Sequence, residues 1–288
     1  MIRRPIRRWF PLFMGPMVCA FIIGFVYPFC KGIYLSFCKF KVTSDAHFVG
    51  LENYRRAFQD ASFVHSFWFT ALFAVISLVL INVLAFAVAY ALTQGIKGSN
   101  LYRTVFFMPN LIGGIVLGYV WKFVFNRAFV AIAEVATQTD HASLLSTPNG
   151  AMFCLILVSV WQYAGYMMLI YVAGFMSVDQ SLKEAAMIDG CNKGKAMWHV
   201  VIPLMRSSFV QCIFLSTTRC FMVYDLNLSL TKGEPFNQSV LAAMHVYNQA
   251  FVYKNYGTGQ AEALVLFIVC AVIGMLQVYF GKKGEVAA

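Results

Sequence analysis

The apolar segments of this sequence hold few ionisable residues, and two of these stand close together. Arg219 lies late in one apolar segment, and Asp225 follows just beyond it, six residues further on. A charged side chain is expensive to keep inside such a segment, so it usually serves a function. We expect Arg219 to face a polar cavity, to extend outward to a polar surface, or to line the path of a polar solute. The sequence leaves these alternatives open.

Groups suited to catalysis or metal binding are scattered along the chain. The histidines form no H-x-x-H or H-E-x-x-H pair, and no pair of carboxylates shares a helical face in the sequence. The eight cysteines contain no C-x-x-C pair, and most lie in apolar segments, where cysteine packs as a small hydrophobic residue. An integral membrane enzyme is therefore the least favoured class, and no catalytic or metal-binding residue is predicted.

The sequence also lacks a phosphate-binding loop. Such a loop needs G-x-x-x-x-G-K-[ST], so that backbone N–H groups surround the phosphates. Gly194-Lys195 is the nearest candidate, but Asp189 stands at the first glycine position and Ala196 follows the lysine. The chain is not expected to hydrolyse ATP itself.

Composition places the chain in a bilayer. Of its 288 residues, 60% are hydrophobic and only 12% are charged, which is far outside the range of soluble globular proteins. The net charge of +10 would suggest nucleic-acid binding in a soluble protein. In a membrane protein it reflects Lys and Arg held on the cytoplasmic side, so no nucleic-acid partner is expected.

Six apolar segments are long enough to cross a membrane, since about 20 helical residues span the hydrocarbon. We predict an all-α integral membrane protein, with residues 1–288 forming one transmembrane domain. The predicted spans are about 10–37, 67–92, 102–125, 151–176, 204–224 and 261–280. In the third span, Pro109 and Gly113-Gly114 are expected to break or narrow the helix, and Gly118 to allow close helix packing. A polar connection is expected from Asn126 to Gly150.

Basic residues orient these spans. Six spans put both termini on one side, and more than half of the 22 Lys and Arg residues fall on that side, in the shorter connections. The positive-inside rule therefore predicts that both termini are cytoplasmic.

A polar interval, residues 181–203, separates the fourth and fifth spans and is too charged for lipid. Ser181 and Glu184 form the S-x-x-E pattern of a capping box, and Gly190 is expected to end the first short helix in the left-handed conformation. Asn192 is expected to cap a second helical run, and Pro203 suits the first turn of the next apolar helix. We call this interval the coupling loop.

The coupling loop resembles the EAA loop of ABC importer permeases. Glu184-Ala185-Ala186 is followed after three residues by Gly190, and after nine more by Val200-Val201-Ile202-Pro203. The family pattern is EAA, Gly and I-x-L-P, with Val200 here for Ile and Ile202 for Leu. Further segments are similar to the first, LENY-bearing permease of sugar-type importers. They are Tyr27–Phe37, Phe48–Phe58, Val158–Phe175 and Tyr224–Pro235.

The resemblance implies one subunit of a heterodimeric permease in a prokaryotic cytoplasmic membrane, which carries a carbohydrate-like solute by alternating access. Its partners would be a second permease subunit, a dimer of cytoplasmic ATPase subunits that bind ATP and Mg, and an extracytoplasmic solute-binding protein. This chain would hold no cofactor of its own. The residues implied to contact the ATPase are Glu184, Ala185, Ala186, Gly190 and Pro203.

The resemblance also implies which spans line the solute path. Sugars are bound by aromatic faces and hydrogen-bonding side chains, which occur here near two such spans. The residues expected to line the path are Trp161, Gln162, Tyr163, Tyr166, Arg219, Tyr224 and Asp225. Tyr163 and Tyr166 are three residues apart and so share a helix face. The family usually has a small residue at Arg219 and Gln at Met222, so the sequence does not identify the solute.

A free-standing secondary transporter or channel is the alternative. It is less favoured, because the sequence shows no inverted repeat and no series of carboxylates in the spans suited to proton coupling. Dependence of uptake on cytoplasmic ATP would separate the importer from this alternative.

Overall fold

The fold is almost entirely helical, as the sequence predicts. The computed structural model describes residues 14–137 and 142–283. Within these ranges a single strand pair occurs, in which Cys38 lies opposite Phe48 and Lys39 lies opposite His47. The predicted all-α class is therefore confirmed.

The helices are numbered in chain order. They are α1 (Met14–Ser36), α2 (Glu52–Gln59), α3 (Ala61–Leu92), α4 (Ser99–Leu111), α5 (Gly114–Phe123), α6 (Phe129–Thr137), α7 (Pro148–Ser177), α8 (Gln180–Ile188), α9 (Lys193–Leu204), α10 (Arg206–Phe221), α11 (Asp225–Leu230), α12 (Ala242–Tyr247) and α13 (Tyr256–Lys282). Strands β1 (Cys38–Lys39) and β2 (His47–Phe48) lie between α1 and α2.

Five stretches of helix in the described ranges are long and apolar enough to cross a membrane. They are Met14–Ser36, Ala61–Leu92, Gly114–Ile132, Pro148–Ser177 and Tyr256–Gly281. The pair formed by α9 and α10 makes a sixth span if it is counted as one, although the two helices meet at 69°. Pro203 therefore lies in α9, before the bend, and not in the first turn of the main helix as predicted.

The third predicted span is broken where the sequence suggests. α4 ends at Leu111, Ile112 and Gly113 are extended, and α5 begins at Gly114. Pro109 lies in the last turn of α4, where its missing N–H removes a helical hydrogen bond and its ring crowds the carbonyl group of Val105, so the turn before the break is weakened. The predicted end near residue 125 is wrong, because a π-helical turn, Val124–Ala128, leads directly into α6. Residues 129–135 are apolar except for Glu134, so the helix can continue through them.

The chain divides into two compact units, Met1–Ala61 with Val246–Leu266 and Ser62–His245 with Phe267–Ala288. In the first unit, the side chain of Asn53 is buried and donates to the carbonyl oxygens of Ser36 (2.8 Å) and Cys38 (2.9 Å). These bonds satisfy one carbonyl group of the last residue of α1 and one just beyond the helix end. The buried side-chain amide of Asn53 thus fixes α2 to the end of α1. A helix that only lay on the surface would not need such a buried bond.

In the second unit, glycines let helices approach each other closely. A Cβ at Gly165 of α7 would clash with the carbonyl oxygen of Phe106 in α4, and a Cβ at Gly118 of α5 would clash with Ser229 in α11. Ser229 Oγ also donates to the carbonyl oxygen of Gly114 at 3.2 Å. The packing role predicted for the glycines of the third span is therefore confirmed.

Three membrane helices of this unit are joined by buried polar side chains. Asn82 of α3 donates from Nδ2 to Ser216 Oγ of α10 at 2.9 Å, and its Oδ1 accepts from the hydroxyl of Tyr171 in α7 at 2.8 Å. Tyr171 and Ser216 are completely buried. Because no water competes at such a site, the bonds hold α3, α7 and α10 in one register.

Candidate functional site

A polar cavity of about 410 Å³ lies where the broken span meets α7 and the end of α10. Its lining combines aromatic, amide and charged groups from four parts of the second unit. The lining residues are Gly114, Gln162, Tyr163, Arg219, Met222, Val223, Tyr224, Asp225 and Leu226. The cavity thus unites residues from α5, α7, α10 and α11.

Protein groups on α4 and α7 hold the guanidinium of Arg219. Its Nη1 donates to Asn110 Oδ1 at 3.1 Å, and its Cζ lies 5.1 Å from the ring centre of Tyr163 and 5.0 Å from that of Tyr166. These distances are within the range of cation–π attraction. Arg219 is therefore directed into the helix bundle and does not extend outward along its own helix.

Asp225 provides the negative charge of the cavity. It is exposed, and it lies beside the N-terminus of α5, since a Cβ built on Gly114 would be 2.9 Å from the Cβ of Asp225. A carboxylate is favourable near the partial positive charge of a helix N-terminus. Within residues 14–137 and 142–283, Asp225 and Arg219 form no ion pair with each other. The cavity therefore offers a cation and an anion as separate groups.

Gln162 connects the break in the third span to the cavity. It is 5% exposed, and its Nε2 donates to the carbonyl oxygen of Ile112 at 3.2 Å. This bond satisfies a carbonyl group that the helix break leaves without a helical partner. The Oε1 atom has no hydrogen-bond partner among the described residues. Gln162 thus fixes the break and retains one acceptor beside the cavity.

The structure brings together most of the predicted path residues. Gln162, Tyr163, Arg219, Tyr224 and Asp225 line the cavity, and Tyr166 reaches it through Arg219.

Trp161 does not line the cavity, and its ring packs against Trp121 with centroids 5.5 Å apart. Residues two apart on a helix differ in direction by about 200°, so Trp161 and Tyr163 face nearly opposite sides. Asn110 was not predicted. It directly follows Pro109 at the helix break, a position that draws attention to it but does not reveal its contact with Arg219.

The coupling loop begins with a cap that differs from the predicted one. The N-cap of α8 is Asp179, whose carboxylate accepts a hydrogen bond from the backbone N–H of Ser181 at 2.9 Å. This bond lowers the pKa of Asp179 below its ordinary value. The predicted Ser181–Glu184 capping box is wrong, because Ser181 already lies within α8. Glu184 Oε1 instead accepts from Gln180 Nε2 at 3.3 Å.

The end of α8 is formed as the sequence predicts. Gly190 has φ +86°, its N–H donates to the carbonyl oxygen of Met187, and the N–H of Cys191 donates to that of Ala186. These two bonds form a Schellman motif, which needs a left-handed residue at this position. Asn192 then caps α9 by accepting from the N–H of Lys195 at 2.8 Å. Both predictions are confirmed.

The coupling loop exposes large apolar side chains at the surface of the second unit. Ile188 is 86% exposed and Trp198 is 70% exposed, whereas Ala186 is buried. Glu184 and Ala185 are also exposed. Apolar groups bordered by charged residues on an ordered helix are typical of a surface that contacts another protein.

Comparison with known proteins identifies similar chains of known type. Residues 94–284 match the family described as "Binding-protein-dependent transport system inner membrane component". The chain is 38% identical to the probable starch degradation products transport system permease protein AmyD of Thermoanaerobacterium thermosulfurigenes, over 96% of this chain and 95% of that protein. It is 30% identical to the multiple sugar-binding transport system permease protein MsmF of Streptococcus mutans, over 92% of each.

A solved structure has the same fold. It is a bacterial alginate ABC transporter in complex with an alginate pentasaccharide-bound periplasmic protein. The TM-score is 0.83 at 15% sequence identity, over 98% of this chain and 97% of that one.

Proposed function

Because the chain belongs to the family of binding-protein-dependent transport system inner membrane components, we propose that its cavity around Arg219 passes a carbohydrate-like solute across the cytoplasmic membrane. The chain is a permease subunit of an ABC importer, and it is not itself an enzyme. The relatives AmyD and MsmF, named for starch degradation products and multiple sugars, support a carbohydrate as the solute.

The cavity has the groups that a sugar requires. A guanidinium has five N–H donors, of which Asn110 engages one nitrogen of Arg219, so several donors remain for solute hydroxyl groups. The carboxylate of Asp225 provides acceptors, and Tyr163 and Tyr224 add phenol groups. Sugar hydroxyl groups both donate and accept hydrogen bonds, so a cavity that offers donors and acceptors suits them. The single observation that carries the proposal is this convergence within one cavity.

The position of the coupling loop supports a route by which another subunit would act on the cavity. In chain order, α8 and α9 connect α7, which carries Tyr163, to α10, which carries Arg219. Arg219 is 13 residues beyond Arg206, which corresponds to about 20 Å along a helix. A displacement of α8 is therefore transmitted along both helices to two walls of the cavity. We infer that the ATPase drives alternating access in this way.

The partners follow from the same proposal. A dimer of cytoplasmic ATPase subunits would bind ATP and Mg and contact Glu184, Ala185, Ala186 and the turn at Gly190. Pro203 would fix the entry to the bend before α10. A second permease subunit would complete the membrane part, and an extracytoplasmic solute-binding protein would deliver the solute. Both termini would be cytoplasmic, as the distribution of basic residues predicts.

Reconstitution tests the function directly. The complete complex, placed in liposomes, is expected to take up radiolabelled maltotriose or another oligosaccharide only with ATP on the ATPase side and the solute-binding protein on the other. Uptake that follows an ion gradient and needs no ATP would instead indicate the secondary transporter, and would contradict the proposal.

A further inference from the structure

The second unit contains another polar cavity, of about 340 Å³, beside the C-terminal ends of α5 and α11. We call it the second cavity, and the one around Arg219 the first cavity. The two cavities share no lining residue. The second cavity is lined by the end of α5 and the π-helical turn that follows it, by the short turn before α7, and by the loop after α11. Its lining includes Lys122, Asn126, Ser143, Thr231, Glu234 and Phe236.

The two cavities lie along the same pair of helices. A Cβ on Gly114 would approach Asp225, and a Cβ on Gly118 would approach Ser229, so α5 and α11 pack side by side and run in the same direction. The first residue of each helix lines the first cavity, whereas Lys122 near the end of α5 and the last residue of α11 line the second. Gly114 and Lys122 are eight residues apart, which corresponds to about 12 Å along the helix.

The second cavity repeats the kinds of polar group found in the first. Lys122 provides a cation and Glu234 a carboxylate, and the two form no ion pair with each other within residues 14–137 and 142–283. Asn126 provides an amide, whose Oδ1 accepts from the hydroxyl of Ser143, so that this bond leaves the N–H donors of Nδ2 unused. Separate donors and acceptors are what sugar hydroxyl groups require.

The second cavity also has an exposed aromatic face. Phe236 is the most exposed large apolar residue in the described part of the chain, at 89%, and its φ is +54°. A bulky residue adopts such a backbone only where its surroundings hold it. The buried Asn227 holds this loop, because its Nδ2 donates to Thr231 Oγ1 at 2.7 Å and to the carbonyl oxygen of Ser239 at 2.8 Å. A ring fixed in this way loses little conformational entropy when a ligand covers it.

From this arrangement we propose that the second cavity is a second carbohydrate site, and that the solute is an oligosaccharide long enough to contact both cavities. A single sugar ring is shorter than the separation of the cavities, whereas a chain of several rings reaches both. In the second cavity, the apolar face of a sugar ring packs on Phe236, and Lys122 and Glu234 bond to its hydroxyl groups. This inference rests on the proposed function, which requires only that the first cavity passes a carbohydrate.

The dependence of uptake on sugar length tests the second site. The complete transporter, in liposomes with ATP and its solute-binding protein, is given an equimolar mixture of maltose to maltoheptaose, and the internalised sugars are separated by chromatography. Phe236→Ala is expected to lower the uptake of maltohexaose relative to maltose at least about fivefold. Lys122→Met, on a different element, should lower the same ratio. The binding protein is identical in every sample, so its own preference for length cancels.

Two controls and three outcomes decide the result. Phe236→Trp keeps an aromatic face and should keep the wild-type ratio, and Tyr253→Ala, which removes an exposed aromatic group outside the second cavity, should keep it too. An unchanged ratio in Phe236→Ala or in Lys122→Met would overturn the second site alone. An equal loss of maltose and maltohexaose would also overturn it, because the loop would then support assembly or delivery. No uptake of any sugar by the wild type would overturn the proposed function and this inference with it.

Discussion

The turn at Gly190 provides the sharpest test of the coupling mechanism. Gly190 has φ +86°, and a Cβ at this position would have no atom within 4 Å. A side chain added there meets no steric obstacle from its surroundings, so the effect of a substitution comes from the left-handed backbone. For residues other than glycine this conformation costs roughly 1–2 kcal/mol, with a β-branched residue at the upper end.

For Gly190→Val, a cost of about 2 kcal/mol lowers the population of the native turn relative to alternative turns by roughly thirtyfold. Loss of the turn also breaks the bond from the Cys191 N–H to Ala186 and changes the direction of α9 relative to α8. The membrane helices do not depend on this turn, so insertion should be normal. We expect ATP hydrolysis to be uncoupled from uptake.

The assay is solute uptake per ATP hydrolysed, measured in liposomes that contain equal amounts of complex. Gly194→Ala is the matched control, because Gly194 lies in the helical part of the same loop and its added Cβ would make only an ordinary contact, 3.6 Å from Asn192 Oδ1. Alanine also has the higher helix propensity. An unchanged ratio of uptake to hydrolysis in Gly190→Val would refute the reasoning.

Three further outcomes are expected. The Glu184→Lys variant should insert normally, but less ATPase should co-purify with it, because the substitution reverses an exposed charge on α8. Full retention of the ATPase with normal uptake would show that Glu184 is not part of the contact. Asn82→Leu should lower the melting temperature, because the buried hydroxyl of Tyr171 loses its acceptor, Asn82 Oδ1. The expected loss of folding free energy is about 1–3 kcal/mol. An unchanged melting temperature would contradict this. The folded-state pKa of Asp179 is lowered, so its stabilising cap is fully present above the ordinary value of 3.8 and is lost as pH falls through the lowered pKa. Hydrogen-exchange protection of the Ser181 amide should fall in that acid range, whereas in Asp179→Asn it should not follow this titration.

Local signals in the sequence predicted much of the coupling loop. Gly190 and Asn192 were placed correctly, since each acts on backbone groups within a few residues of itself. The start of α8 was misplaced, because Asp179 and Ser181 are both good capping residues and local pattern alone does not choose between them. Asp179 occupies the cap here, and Ser181 becomes helical.

Contacts between distant parts of the chain could not be predicted in the same way. Asn53 bonds to Ser36 and Cys38, 17 and 15 positions away, and Asn82 bonds to Ser216 and Tyr171, more than 80 positions away. In the cavity, the energetic cost of a charge in an apolar segment pointed to Arg219. Helical spacing correctly placed Tyr163 and Tyr166 on one helix face. The partner Asn110 is brought to Arg219 by the packing of α4, which leaves no periodic signal in the sequence.

The central claim is that the cavity around Arg219 is the solute path, and uptake by cavity variants tests it most directly. Tyr163→Ala and Arg219→Ala should each reduce ATP-driven uptake at least about tenfold, which corresponds to a loss of about 1.4 kcal/mol of solute binding free energy. Protein abundance and ATPase assembly should remain at wild-type levels. Trp161→Ala, on the same helix but outside the cavity, should transport normally. Normal uptake by both cavity variants, or an equal loss in Trp161→Ala, would contradict the claim.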